Sequence, residues 1–349
     1  MLTEYIESDI TVFRKSVKDA SPYKPLFVKI KLIRNCNLRC QMCNHWRSKE
    51  MSLDIDFFLR VVDELSTMDC KKIHLSGGEP LLYPDFFILL QHIKKYNIKA
   101  TMTTNGTLIT NENAKLLATF GLDGVNISID SPCEAIHDKI RGIQGSFNKA
   151  IQGFQFLRKQ MIGKTMRLNM VVSADNYKTI ADFPKFAYEL GADSIGLIPL
   201  GVHTSDVNFF TKEQIEDYNN NVAQVTLNEV KKYKLDIGAD EIFLFGNTED
   251  SMNEATLGEY AYDYYSKHRC YAIWTHALID QRGRVSVCCN MKNQPIIGNL
   301  QEKTFKEIWN EDIYKRFREK KQLPISDICK QCALYKKKNR LIEKWVNED

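Results

Sequence analysis

Cys36-Asn37-Leu38-Arg39-Cys40-Gln41-Met42-Cys43 is the stretch on which the reading of this chain turns. Its three thiols are spaced C-x3-C-x2-C and follow the first apolar run of the sequence. Soft sulfur ligands suit iron–sulfur clusters, and a cubane 4Fe–4S cluster ordinarily takes four cysteines. Three cysteines can hold three corners and leave one iron open to a ligand that is not protein. On spacing alone, a zinc knuckle or a redox loop stays open as the alternative.

Working outward, residues 26–33 read as a strand that feeds directly into the cysteine loop. Asp54 caps a helix whose Phe58, Val61, Val62, Leu65 and Met68 recur at helical spacing. Residues 73–76 form a second strand, followed by Gly77-Gly78-Glu79-Pro80 and a helix over about 84–96. A third strand, 98–104, runs into Asn105-Gly106 and a helix from about 111 to 120. Strand four covers 124–130, with a helix over about 146–161. Strand five covers 166–172 with a helix over 177–190, and strand six covers 194–200. Repeated strand–helix units predict an α/β fold: a parallel sheet with right-handed crossovers, closed or partly closed as a partial (β/α)6 barrel. Chemistry belongs at the loops that follow the strands. The cysteine loop, the Gly-Gly-Glu-Pro turn and the Asn-Gly turn all follow strands, so all three point to one mouth.

The flanks break this rhythm. Residues 1–25 read as a polar extension with a weak helical pattern, ending at Pro22 and Pro25. Residues 206–265 form a connecting segment with a helix over about 211–232, a strand-like run at 242–245 and the tyrosines Tyr260, Tyr262, Tyr264 and Tyr265. Residues 266–349 form a small cysteine-rich domain with a C-terminal helix.

The composition narrows the function. With 349 residues and 44% hydrophobic content the chain can bury a large core. A net charge of +4, from 48 basic and 44 acidic side chains, argues against nucleic acid. No apolar run reaches the roughly 20 residues of a membrane span. The acidic opening residues lack the basic and apolar regions of a signal peptide, which predicts a cytoplasmic protein without a membrane partner. In such a chain, ten cysteines point to metal or catalysis rather than disulfides.

The loop and the turn together resemble the radical S-adenosylmethionine (SAM) enzymes, in which the open iron of the cluster chelates SAM. The resemblance makes Cys36, Cys40 and Cys43 the cluster ligands and gives Gly78 and Glu79 the methionine amino group. Met42 stands where that family often has an aromatic residue near the adenine. Ser128 and Asp130 resemble contacts to the SAM carboxylate and ribose, and Asn169 and Ile198 resemble ribose and adenine contacts. For these four, ordinary strand packing is the competing reading. Arg141 either pairs with the SAM carboxylate or lies on the surface. His74, His92 and His137 lack ligand spacing and read as packing or surface.

A second thiol group comprises Cys270, Cys288, Cys329 and Cys332. Four thiolates suit a structural zinc or a fully ligated second 4Fe–4S cluster. Their spacing, with Trp274, the turn at Gly283, Gly298-Asn299-Leu300 and Trp309, resembles the SPASM/twitch accessory domain, and its shorter twitch form fits better because no cysteine follows Cys332. Cys289 and Cys133 are candidate hydrogen-atom donors, with an unremarkable buried thiol as the alternative for each.

The resemblance implies two 4Fe–4S clusters, SAM, and an electron donor such as flavodoxin or ferredoxin. It implies a 5′-deoxyadenosyl radical that removes a substrate hydrogen, with the second cluster accepting the remaining electron. The twitch spacing favours dehydrogenation of a sugar-like or cyclitol small molecule. The alternatives are maturation of a ribosomally made peptide, against which 25 leading residues are too few for a fused peptide-binding domain, epimerisation, and a non-catalytic metal-binding protein.

Overall fold

The computed structural model describes residues 2–48, 52–201, 209–237, 241–288, 295–320, 327–333 and 336–348. Nine described strands form one sheet in the order β6-β5-β4-β3-β2-β1-β7-β8-β9. The first six are β1 (Phe27–Ile33), β2 (Lys72–Gly77), β3 (Lys99–Thr104), β4 (Gly124–Ser128), β5 (Thr165–Val172) and β6 (Ser194–Pro199), each paired parallel with the next. These strands and their crossover helices are the expected partial barrel. Alternate residues such as Val28, Ile30 and Leu32 are buried under the helices, leaving Lys29 and Lys31 on the lumen face.

The cap read from sequence is present: Asp54 accepts a hydrogen bond of 2.9 Å from the Phe57 N–H at the start of helix Ile55–Thr67. A further helix, Glu134–Arg141, lies between β4 and helix Ser146–Gln160. It carries His137, Ile140 and Arg141 on its buried side. The expected helix over 177–190 splits into a 3-10 segment, Tyr177–Asp182, and an α-helix, Phe183–Leu190. Pro184 in the first turn explains the break, because its missing N–H suits a helix start and not an interior.

Two expectations about the flanks are corrected. Residues 242–245 are not a strand: Ile242, Leu244 and Phe245 are buried in irregular chain that packs on Tyr218 and Tyr260. Hydrophobicity without a neighbouring strand to pair with leaves burial as its only role. The leading residues form two helices, Leu2–Ser8 and Ile10–Lys18, that fasten the two ends of the chain together. Trp274 Nε1 donates to the Ser16 carbonyl at 3.2 Å, Trp309 Nε1 to the Tyr23 carbonyl at 2.6 Å, and Arg14 Nε to the Trp345 carbonyl at 2.9 Å. Phe13 is fully buried against the edge of Tyr23.

The sheet continues past the barrel. Strand β7 (His276–Ile279) pairs parallel with β1, and β8 (Arg284–Ser286) and β9 (Ile296–Asn299) continue antiparallel. The region holding the second thiol group is therefore hydrogen-bonded onto β1, the strand that delivers the first. Phe13→Ala is expected to destabilise the protein by about 3–5 kcal/mol. Thermal unfolding of the variant checks this, and a loss below about 1 kcal/mol would mean that the N-terminal helices are not part of the core.

Candidate functional site

The cysteine loop starts where β1 ends, and β2 approaches it closely. A Cβ on Gly77 would collide with the Ile33 carbonyl, and one on Gly78 with the Arg34 and Asn35 carbonyls. Gly77 also has φ +143°, which L side chains rarely adopt. The two glycines thus serve contact between the chain's own backbones, with Gly78 N–H donating to Ile33 O at 2.6 Å and Glu79 N–H to Asn35 O at 3.0 Å.

Glu79 is 0% exposed. Its carboxylate accepts from Leu81 N–H at 3.2 Å, Thr104 Oγ1 at 2.8 Å and Asn105 N–H at 2.9 Å. Burial pushes its carboxyl up to about 7, opposed by these three donors. In this structure the Glu79 carboxylate is enclosed by these three donors. What Glu79 holds is the Asn-Gly turn. There Asn105 Nδ2 donates to Asn37 Oδ1 at 2.8 Å and lies 3.8 Å from Cys36 Sγ.

Helix Glu134–Arg141 holds the other side of the loop. Arg39 N–H donates to Arg141 O and Gln41 N–H to Ile140 O, both at 3.0 Å. Arg141 is buried and not on the surface. Its Nε stands 2.7 Å from Asp130 Oδ2, and its Nη1 donates to Cys40 Sγ at 3.7 Å. The Nε approach to Asp130 is charge contact and not a well-directed hydrogen bond. Asp130 is 0% exposed; its Oδ1 accepts from Val171 N–H at 2.9 Å. Burial raises the Asp130 carboxyl, opposed by Arg141, while Asp130 and Cys40 hold Arg141 protonated against its own burial. As placed, Asp130 thus pairs with Arg141 and with the backbone of β5. Its N–H donates to His137 Nδ1 at 3.2 Å, and burial pushes that imidazole down to about 3, so it is neutral.

Ser128, Asn169 and Ile198 stand on the lumen face near the C-terminal ends of β4, β5 and β6, half-buried, with Ser128 and Asn169 register partners. Met42 is half-buried within the loop. Cys133 is exposed just before helix Glu134–Arg141. Cys289 lies outside the described residues.

The thiols fit iron–sulfur clusters by donor chemistry. Cys36, Cys40 and Cys43 interact with one another electrostatically, and burial pushes Cys36 up to about 11. The Tyr265 hydroxyl lies 3.6 Å from Cys332 Sγ and interacts electrostatically with Cys270 and Cys288, as Cys270 does with Cys329 and Cys332. Burial pushes Cys270 up to about 12. Bound iron would reverse this, since the thiolate is the ligating form. Among the described residues, no three such side chains stand close enough for a single ion. A cubane takes one thiolate at each corner and so needs them further apart.

Sequence reasoning missed Asn105, His137 and Tyr265. The Asn-Gly turn after a strand is the signal that leads to the first; the other two have no local signal.

Residues 30–187 match the radical SAM superfamily, and residues 270–333 match SPASM, an iron–sulfur cluster-binding domain. The chain belongs to the radical SAM superfamily and carries a SPASM domain at its C-terminal end. SAM, a SAM-binding 4Fe–4S cluster and an auxiliary cluster are its cofactors. The chain is 26% identical over 325 residues to an AdoMet-dependent heme synthase of Methanosarcina barkeri, covering 88% of this chain and 90% of that protein. It is 23% identical over 326 residues to a PqqA peptide cyclase of Gluconobacter oxydans, covering 89% and 83%. In fold it resembles Streptococcus suis SuiB bound to S-adenosylmethionine, with TM-score 0.68 at 19% identity, covering 91% of this chain and 73% of that one. Among the described residues, no helix is long and apolar enough to cross a membrane.

Removing the guanidinium should leave Asp130 buried and unpaired, so Arg141→Met is expected to cost about 3–5 kcal/mol. Denaturant unfolding checks this, and an unchanged midpoint would show that the pair does not hold the loop. Glu79 adds a pH signature. Its folded pKa is raised, so its stabilisation is fully present below the unfolded value of about 4.3 and is lost as pH rises to about 7. The wild type should therefore lose stability relative to Glu79→Gln across that window, read as the difference in Tm. A constant difference would mean that Glu79 is ionised throughout.

Proposed function

We propose that this radical SAM protein is a peptide maturase that removes a hydrogen atom from a peptide side chain. The observation that carries the reading is similarity to a PqqA peptide cyclase that extends over 89% of the chain. Supporting it, a solved neighbour of the same fold, SuiB, is bound to its precursor peptide SuiA. These similarities favour peptide maturation over the dehydrogenation of a sugar-like molecule expected from the sequence. A second reading, modification of a small molecule, is favoured by the equally extensive similarity to an AdoMet-dependent heme synthase.

Cys36, Cys40 and Cys43 would hold the SAM-binding cluster, and Cys270, Cys288, Cys329 and Cys332 the auxiliary one. Bound there, the clusters and SAM would supply a 5′-deoxyadenosyl radical that takes a hydrogen atom from the substrate, and an acceptor for the electron left behind. The chain's own part is positioning. Arg141 and Asn105 hold the loop from two sides, and Ser128, Asn169 and Ile198 line the lumen beside it. In a redox-neutral outcome, Cys133 or Cys289 would return a hydrogen atom instead.

The test is anaerobic iron and zinc content with EPR, for the wild type and for Cys36→Ala/Cys40→Ala/Cys43→Ala. The triple variant should keep about four irons in a reducible cluster and lose SAM cleavage. The wild type, given a precursor peptide encoded beside its gene, should yield a product lighter by two hydrogens. Zinc or no metal in the triple variant would remove the electron acceptor and with it the oxidative reading. An unaltered peptide beside a modified small molecule would move the assignment to the second reading.

A further inference from the structure

The barrel lumen carries charge that the chemistry above does not use. Lys31 on β1 is the register partner of Ser76 on β2. Leu75 pairs with Met102, which sets Ser76 beside Thr103; Thr103 pairs with Asn126, and Asn126 with Arg167 on β5. These five residues form one layer across five strands on the lumen face. His74 hydrogen-bonds to Thr101 and Thr103, and Asn126 Nδ2 donates to Thr103 Oγ1, which confirms the shared face. Ser128 and Asn169 lie two residues further along, about 7 Å toward the mouth.

Three members of this layer have hydrogen-bonding capacity to spare. Among the described residues Lys31 makes no hydrogen bond or ion pair, and neither does Lys29, which follows it down the same face. Ser76 Oγ is buried without a partner, and so is Arg167 Nε. Buried polar groups are normally satisfied, so such a set asks for a ligand. Two carboxylates stand near. Glu241 reaches Arg167 Nη2 at 3.4 Å, and Asp280 faces Lys31 but is engaged by Arg284 at 2.6 Å. The Cys43 thiol also lies near Lys31, and none of these groups gives Ser76 Oγ or Arg167 Nε a hydrogen-bond partner. Gly196 on β6 makes room for the layer, because a Cβ there would stand 2.6 Å from Arg167 Nη2 and 2.7 Å from Nε. The same Cβ would stand 2.5 Å from Asn169 Oδ1, so Gly196 leaves room for both side chains.

We propose that Lys31, Ser76 and Arg167 form an anion-recognition belt that holds a carboxylate or phosphate group of the substrate, one layer below Ser128 and Asn169. A lysine supplies a point charge, a hydroxyl one donor, and a guanidinium a planar pair of donors, which together match the oxygens of either group. The belt rests on the proposed function in one respect: the anion it holds is taken to be part of the molecule on which the radical acts. For a peptide, that is an aspartate or glutamate side chain or a phosphorylated residue.

The probes are glutarate and inorganic phosphate, titrated calorimetrically into the anaerobically reconstituted protein saturated with SAM. The wild type should bind one equivalent. Lys31→Met, Arg167→Gln and Gly196→Ala should each weaken binding roughly tenfold or more, as the loss of one charge-assisted contact requires. Lys31→Arg keeps the charge and should restore most of it. Lys344→Met, on the exposed C-terminal helix, should bind like the wild type. Tighter glutarate assigns the belt to carboxylates, and tighter phosphate to phosphates. A wild type that binds neither, or lumen variants that bind as the wild type does, overturns the belt. SAM cleavage measured on the same samples separates the two claims. A wild type that binds anion without cleaving SAM sinks the proposed function and leaves the belt standing.

Discussion

The buried contact of Arg141 with Asp130 is the constraint from which the arrangement of the mouth follows. Asp130 sits just past β4 and is tied to β5 through Val171 N–H and to Asn176 through its carbonyl. Arg141, at the end of a two-turn helix, carries that fixed point across to the cysteine loop through its backbone carbonyl and through Cys40. The helix stops at Gly142, whose φ of +70° and close approach to the Arg39 carbonyl leave no room for a Cβ. A buried pair of this kind contributes little net stability over apolar packing, but breaking it is costly because one charge stays behind. Its consequence is a loop whose position relative to the sheet has little freedom.

Glu79 does the same on the opposite side by a different route. One carboxylate gathers three donors from two successive turns, and the second turn then places Asn105 against Cys36. Both devices put ionisable groups in the interior and pair them with the chain's own groups. Between them lie the buried Cys40 and the half-buried Cys36 and Cys43.

The sheet gives the two thiol groups a common frame. With β7 hydrogen-bonded to β1, a shift of the auxiliary region would disturb the strand that carries the SAM-site loop. The N-terminal helices reinforce this, since the indoles of Trp274 and Trp309 both donate to their backbone or the chain just after it. A continuous sheet would hold clusters bound at the two thiol groups at a fixed separation.

Much was legible along the chain. The spacing of Cys36, Cys40 and Cys43, the glycines of the following turn, and six strands each ending in a loop are local patterns. Thiol spacing, helical and strand periodicity act over a few residues, so the α/β class, the shared mouth and the second thiol group could be read directly. The burial of Arg141, the enclosure of Glu79 and the lumen layer of Lys31, Ser76 and Arg167 could not. Each depends on register between strands or on a helix docking against a distant loop, and a register shift of one residue would send the same side chains to the other face. The sequence by itself determined which cofactor chemistry the chain carries. Tertiary packing decided which charges are spent on holding that site together and which are left facing the lumen, because only packing brings residues more than a hundred positions apart within reach of one another.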